Sequence, residues 1–306
     1  MSVTKFNDIV VLDNGGTHIR IGHIRNGSLC PEFQKLESKT LCVPAADKQL
    51  LALIQRYVEQ HNLSLKAAVL GLPAILDREN DGISHCNNIP QLEGHGLKQF
   101  LSAALGCKVL FEQDIMLQVL GEWRAGAARE QHSVFGIYFG TGIGAAYLLN
   151  GNPENELVQD IQAGHIPIMA NGKPCKCGNT DCIEAYACGH TLTTLAEQTG
   201  CPVEELFVQR HQSRWVNILS EELDQFVLYQ AYMLATICTL FRPDVLLIGG
   251  GIPKMAGYPH EELIQKTRNH LQKPYPSQSA RFAWASLDTQ APLHGALELL
   301  NHKFSH

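Results

Sequence analysis

Residues 164–189 read GHIPIMANGKPCKCGNTDCIEAYACG, with His165, nine intervening residues, then Cys175-x-Cys177-x-x-x-x-Cys182. One imidazole and three thiolates make a closed tetrahedral set for Zn²⁺. Soft thiolates with no open fourth position describe a structural metal rather than a catalytic one; three reduced cysteines beside a histidine are the bland alternative. Two further stretches could do chemistry: VVLDNGGTHIRIGHIRNG at 10–27 and YFGTGIGAAYLLNG at 138–151. In each, an apolar run meets glycines and a threonine, and each closes on Asn-Gly. Glycines leave backbone N–H groups uncovered, so an anion can come close to them. Gly15-Gly16-Thr17 and Gly140-Thr141-Gly142 would each supply such donors plus a hydroxyl, and two cradles suit a polyphosphate. Asp13 would repel phosphate without a cation, so Mg²⁺ held through water is the expected third party. Taken singly, either turn could be a hairpin with ordinary glycines. Asp114, at the end of KVLFEQD, could accept a proton from a substrate hydroxyl or simply cap a helix. Glu112, two positions earlier, is a rival for that role.

These residues need elements to hold them. Residues 8–36 read as three strands with a hairpin turn at Asn26-Gly27. Helical apolar spacing follows at 47–61, then a buried strand at 67–74, a helix at 97–105, a strand at 108–114 and a helix at about 115–126. A second hairpin begins at 133. The ten-residue step from Thr17 to Gly27 recurs from Thr141 to Gly151, which reads as a duplicated unit. A long helical region, 213–241, leads to the strand DVLLIGGGI at 244–252, and a last helix begins at 291. Strand–helix alternation means α/β layers. The expected domains are 1–118 joined by the C-terminal helix 292–306, and 119–291.

Net charge is −6 over 306 residues, which argues against a protein that reads nucleic-acid phosphates with a basic face. No apolar run is long enough to span a membrane, and MSVTKFND has no signal-peptide core, so a cytoplasmic protein is expected. Ten cysteines are then thiols rather than disulfides. Neither GxxxxGK[ST] nor GxGxxG occurs. Gly249-Gly250-Gly251 after its strand would let an adenosine lie flat on the backbone, or would make a tight strand–helix turn.

DNGGTHIR, FGTGIG and LIGGGI, in this order, resemble the first phosphate, second phosphate and adenosine segments of sugar kinases with the actin-like ATPase fold. In detail they are similar to the ROK (repressor, open reading frame, kinase) family. The resemblance covers nearly the whole chain. It implies two actin-like (ribonuclease H-like) ATPase domains with an interdomain cleft, and ATP, Mg²⁺ and structural Zn²⁺ as cofactors. Asp13, Gly15, Gly16, Thr17, Arg20, Gly140, Thr141, Gly142, Gly249, Gly250 and Gly251 become the ATP and phosphate contacts. Asp114 becomes the base. Pro73 of GLPA, Asn88 of NNIP, Asp114, Gln162, His165 and Glu184 become the sugar contacts, with His165 also a zinc ligand. Two positions depart from the family pattern: Asp181 replaces a usual glycine, and Gln162 replaces the glutamate of Glu-x-Gly-His. An amide is neutral and accepts fewer bonds than a carboxylate, so an altered sugar preference or a slower turnover is expected.

THIR, GHIPI, KPYPSQSARF and HGALELL resemble the branch that phosphorylates D-allose. The implied reaction is ATP-dependent phosphorylation of the 6-hydroxyl of an aldohexose, D-allose favoured. Glucose, mannose and the N-acetylated hexosamines stay open, as does a sugar-sensing relative with weak catalysis. Twelve residues before Asp13 are too few for a helix-turn-helix, which disfavours a repressor. The implied partners are a small sugar and ATP, with no nucleic acid and no membrane; a homodimer is implied by analogy with the family.

Overall fold

The computed structural model describes residues 8–30, 32–86, 88–155, 160–170, 172–212, 216–274 and 278–304. Residues 213–215 of the expected helical region and 275–277 of KPYPSQSARF fall outside these. The chain forms two compact units: Met1–Glu130 with Gly151–Asp160 and Ser286–His306, and Gln131–Asn150 with Ile161–Ala285.

In unit 1, β1 (Asp8–Asn14), β2 (His18–Arg25), β3 (Ser28–Leu29) and β4 (Gln34–Glu37) precede α1 (Ala46–Gln60). Then come β5 (Leu65–Leu72), the short pair β6 (Ile75–Asp77) and β7 (Gly82–His85), α2 (Leu97–Leu105), β8 (Lys108–Gln113) and α3 (Asp114–Ala125). The sheet runs β3-β2-β1-β5-β8, with β4 also on β2. β1 pairs antiparallel with β2 and parallel with β5, and β5 pairs parallel with β8. β1 is buried along its whole length: the apolar run at 9–12 suits a central strand, and the polar Asp8, Asp13 and Asn14 at its ends are buried with it.

Unit 2 opens with β9 (Ser133–Phe139) and β10 (Ile143–Leu149). It continues through α4 (Glu184–Ala187), α5 (Gly189–Thr199), α6 (Leu206–Gln209), α7 (Val216–Phe241), β11 (Val245–Gly249), α8 (His260–Asn269) and β12 (Phe282–Trp284). Its sheet is β10-β9-β11-β12. β9 is antiparallel to β10 and parallel to β11, and β11 is parallel to β12. Strand for strand this repeats β2-β1-β5-β8, so the two hairpins read from the sequence occupy equivalent places in their sheets.

The last helix, α9 (Ala291–Phe304), packs on α3 within unit 1. The two cross at glycines: a Cβ on Gly121 would collide with the Ala291 carbonyl, and one on Gly295 with the Leu117 carbonyl. The expected division lay near residue 118; α3 runs through that position to Ala125 and packs on α9, and the first segment of unit 1 runs to Glu130. β6, β7, α5, α8 and β12 were not foreseen in the sequence; β6, β7 and β12 are only three or four residues long. Among the described residues, no helix is long and apolar enough to cross a membrane.

Candidate active site

β1 delivers Asp13 and Asn14 to the first glycine turn, and both side chains are buried. Arg20 is the cross-strand register partner of Asp13 and donates from Nη1 to Asp13 Oδ2 at 3.2 Å. A cation therefore already stands beside Asp13, the place where sequence reasoning put only Mg²⁺. Asp13 Oδ1 and both amide atoms of Asn14 have no partner among the described residues. Buried orphans of this kind are costly and rare, so they mark a place built for something else. Asn14 was overlooked in the sequence because an asparagine before two glycines reads as turn chemistry.

Gly15 and Gly140 adopt no left-handed backbone, and a Cβ on either would meet nothing closer than 3.5 Å. The protein's own packing thus has no use for a glycine at either position, and an approaching ligand would. Gly15 N donates to His18 O at 3.0 Å, and Ser38 Oγ braces the turn by donating to Gly15 O at 2.8 Å. Gly16 and Thr17 are exposed, as is Thr141 in the second turn.

Asp114 is the first residue of α3 and follows Gln113 at the cap position. Its Oδ1 accepts from the Ile115 N–H at 2.9 Å. Burial, and then the charge of Asp13, push the Asp114 carboxyl up to about 7, against the pull of backbone N–H bonds. Burial likewise pushes Asp13 up to about 6, with Arg20 drawing it back. Glu112, the rival carboxylate, is occupied: Arg78 donates to it from both terminal nitrogens, at 3.2 and 2.6 Å. Unit 1 also holds Pro73, half-buried after β5, and Asn88, which is exposed and whose carbonyl accepts from Cys42 Sγ at 3.4 Å.

Unit 2 brings Gly142, Gly164 and Glu184 together. Glu184 Oε2 accepts from the Ile143 N–H at 2.7 Å, and a Cβ on Gly142 would lie 2.6 Å from the same oxygen. The acid expected at a sugar is therefore also tied to the second glycine turn. Gln162 is exposed. In the glycine triplet, a Cβ on Gly249 would lie 2.5 Å from the Tyr138 ring, and Gly250, at φ +99°, lies on the Phe139 backbone. Both therefore have packing reasons. Gly251 has nothing within 4 Å of such a Cβ and is the one left open.

His165 Nδ1 lies 3.6 Å from Cys175 Sγ, and Cys177 Sγ lies 3.6 Å from Cys182 Sγ. The four ligand atoms all fall within 4.8 Å of one another. Zn–S bonds of about 2.3 Å place the corners of a tetrahedron about 3.5–3.8 Å apart, so the donor set fits a zinc ion. Asp181 is buried at φ +60°, where the family's glycine would sit unstrained. Its carboxylate accepts from Gly172 N at 2.8 Å, Lys173 N at 3.0 Å and the Tyr186 hydroxyl.

The family model described as "ROK family" matches residues 9–303. The N-acetyl-D-glucosamine kinase of Aliivibrio fischeri is 25% identical over 272 residues, covering 85% of this chain and 88% of that one. The solved ROK hexokinase of Thermus thermophilus is 27% identical with a TM-score of 0.74, covering 95% of this chain and 97% of that one. The ROK glucokinase of Streptomyces griseus, solved with glucose and AMPPNP, shares the fold at a TM-score of 0.77 and 22% identity, over 96% and 98%. With its paired hairpin sheets, actin-like ATPase fold and a family match along nearly its whole length, the chain belongs to the ROK family.

Proposed function

We propose that this protein is an ATP-dependent hexose kinase that transfers the γ-phosphate to the 6-hydroxyl of an aldohexose, D-allose first among them. The observation that carries the reading is Asp114, a carboxyl raised to about 7 by burial and by Asp13. A base with that affinity takes a hydroxyl proton efficiently near neutral pH. Asp114 receives the proton as the sugar oxygen attacks, and the N–H groups of the two glycine turns are offered to the phosphates. Mg²⁺ would sit near Asp13 through water and neutralise phosphate charge. Gly251 leaves open backbone for the adenosine. Pro73, Asn88, Gln162, His165 and Glu184 are assigned to the sugar, and His165 with Cys175, Cys177 and Cys182 to a structural zinc.

Relatives and neighbours named as N-acetyl-D-glucosamine kinase, hexokinase and glucokinase support a sugar kinase. Their names favour other hexoses; D-allose rests on the segments THIR, GHIPI, KPYPSQSARF and HGALELL. A second reading, a sugar sensor with weak catalysis, is favoured by Gln162 alone. An ATP-coupled assay on D-allose, D-glucose, D-mannose and the N-acetylated hexosamines separates the two. Turnover, fastest on D-allose, is expected. Sugar binding without turnover on any of them would favour the sensor. Gln162→Glu should change the relative kcat/KM across that panel.

A further inference from the structure

We propose that Gln113 is a positioning residue of the sugar site: its side-chain amide, next in the chain to the candidate base, ties the Pro73-Ala74 segment after β5 to Asp160. Gln113 is the last residue of β8, directly before Asp114, and the register partner of Leu72 at the end of β5. It is 9% exposed, and its side-chain nitrogen donates to Ala74 O at 3.2 Å and to Asp160 Oδ1 at 2.9 Å. One NH₂ group thus spends both protons on two segments far apart in the sequence. Ala74 adjoins Pro73. Asp160 closes the Gly151–Asp160 segment of unit 1 and precedes Gln162 by two positions.

The surrounding charges hold this amide in place. Glu112 Oε1 accepts from the Gln113 N–H at 2.9 Å while Arg78 grips the same carboxylate. Arg78 also favours the charged form of Asp160, whose carboxyl is pushed up by burial. An amide NH₂, with two protons to give, satisfies a carbonyl and a carboxylate together. A glutamate at 113 would turn an acceptor toward both.

The inference rests on the kinase reading, and its test separates the two. Gln113→Met keeps length and removes both donors; Asp160→Ala removes one acceptor without touching the strand. Each is titrated calorimetrically with a hexose turned over by the wild type, and separately with AMPPNP. The expected result is a sugar Kd raised about tenfold in either variant, the size of a lost buried hydrogen bond. The double variant should be no more than about twofold weaker still, because both changes cut one tether. The Kd for AMPPNP should stay within about twofold of wild type, which a general loss of structure would not allow. If Gln113→Met does not fold, Asp160→Ala alone carries the test. An unchanged sugar Kd, equal weakening of both ligands, or fully multiplying effects overturns the inference and leaves the kinase reading standing. A wild-type chain that binds no hexose sinks both.

Discussion

Asp13 and Asp114 flank Gly71: Asp13 is its register partner across β1 and β5, and a Cβ on Gly71 would lie 3.3 Å from the Asp114 Cα. Because position 71 carries no side chain, the strand bearing one acid and the helix bearing the other close up. The charge of Asp13 then adds to burial in lifting Asp114 to about 7.

Removing the proposed base should stop the chemistry and spare binding. Asp114→Asn is expected to lower kcat by about 10²–10⁴, the usual worth of a general base. Steady-state kinetics with calorimetric sugar binding checks this; near-normal turnover would take Asp114 out of its role.

The shift of Asp114 has opposite consequences for stability and activity. Between about pH 4 and 7 the native state holds a proton that the unfolded chain has lost. Wild-type stability therefore falls as pH rises through that window. Asp114→Asn should match the wild-type Tm at pH 4 and exceed it above pH 7. Activity runs the other way, with kcat/KM for the sugar dropping on the acid side of about pH 7. Carbon-13 NMR of the carboxyl should show Asp13→Asn moving the Asp114 titration toward acid.

Two adjacent glycines should respond differently to alanine. At Gly250 the left-handed backbone and the Phe139 backbone both oppose a methyl group. Gly250→Ala should cost roughly 2–5 kcal/mol of stability. Gly251→Ala meets open space and should leave Tm within a degree or two while raising the KM for ATP. Thermal melts and ATP titrations on the pair distinguish a packing glycine from a ligand-facing one.

Metal analysis should find about one zinc per chain, lost in His165→Ala and Cys177→Ser. Less than about half an equivalent in the wild type would count against the site. Asp181→Gly relieves the left-handed backbone but leaves three donors without their acceptor. Chelator competition should show its zinc affinity about ten- to a hundredfold lower, with Asp181→Asn in between. Equal affinities in all three would reduce Asp181 to a turn residue.

Much of this architecture is legible in the residues alone. Apolar runs that stop at Asp13-Asn14-Gly15-Gly16 and at Gly140-Thr141-Gly142 define two hairpins, and their matching exits at Gly27 and Gly151 reveal the duplication. The spacing of His165, Cys175, Cys177 and Cys182 marks a candidate metal set, and the fold gathers the four ligand atoms within 4.8 Å of one another. Such signals are local: strand period, turn chemistry and ligand spacing act over a few residues.

Tertiary structure decided which partner each polar group takes. Gln113 meets Asp160 across 47 positions, and fully buried Glu122 takes the Ser286 N–H across 164. The bond from Ile143 N to Glu184 spans 41. That α9 returns to α3 in the same unit was likewise decided in three dimensions, by a contact between segments that no periodicity relates. A side chain's donors and acceptors are fixed by its type, but their partners exist only once distant strands and helices have packed. The sequence therefore carries the chemistry on offer, and the fold selects which of it is used.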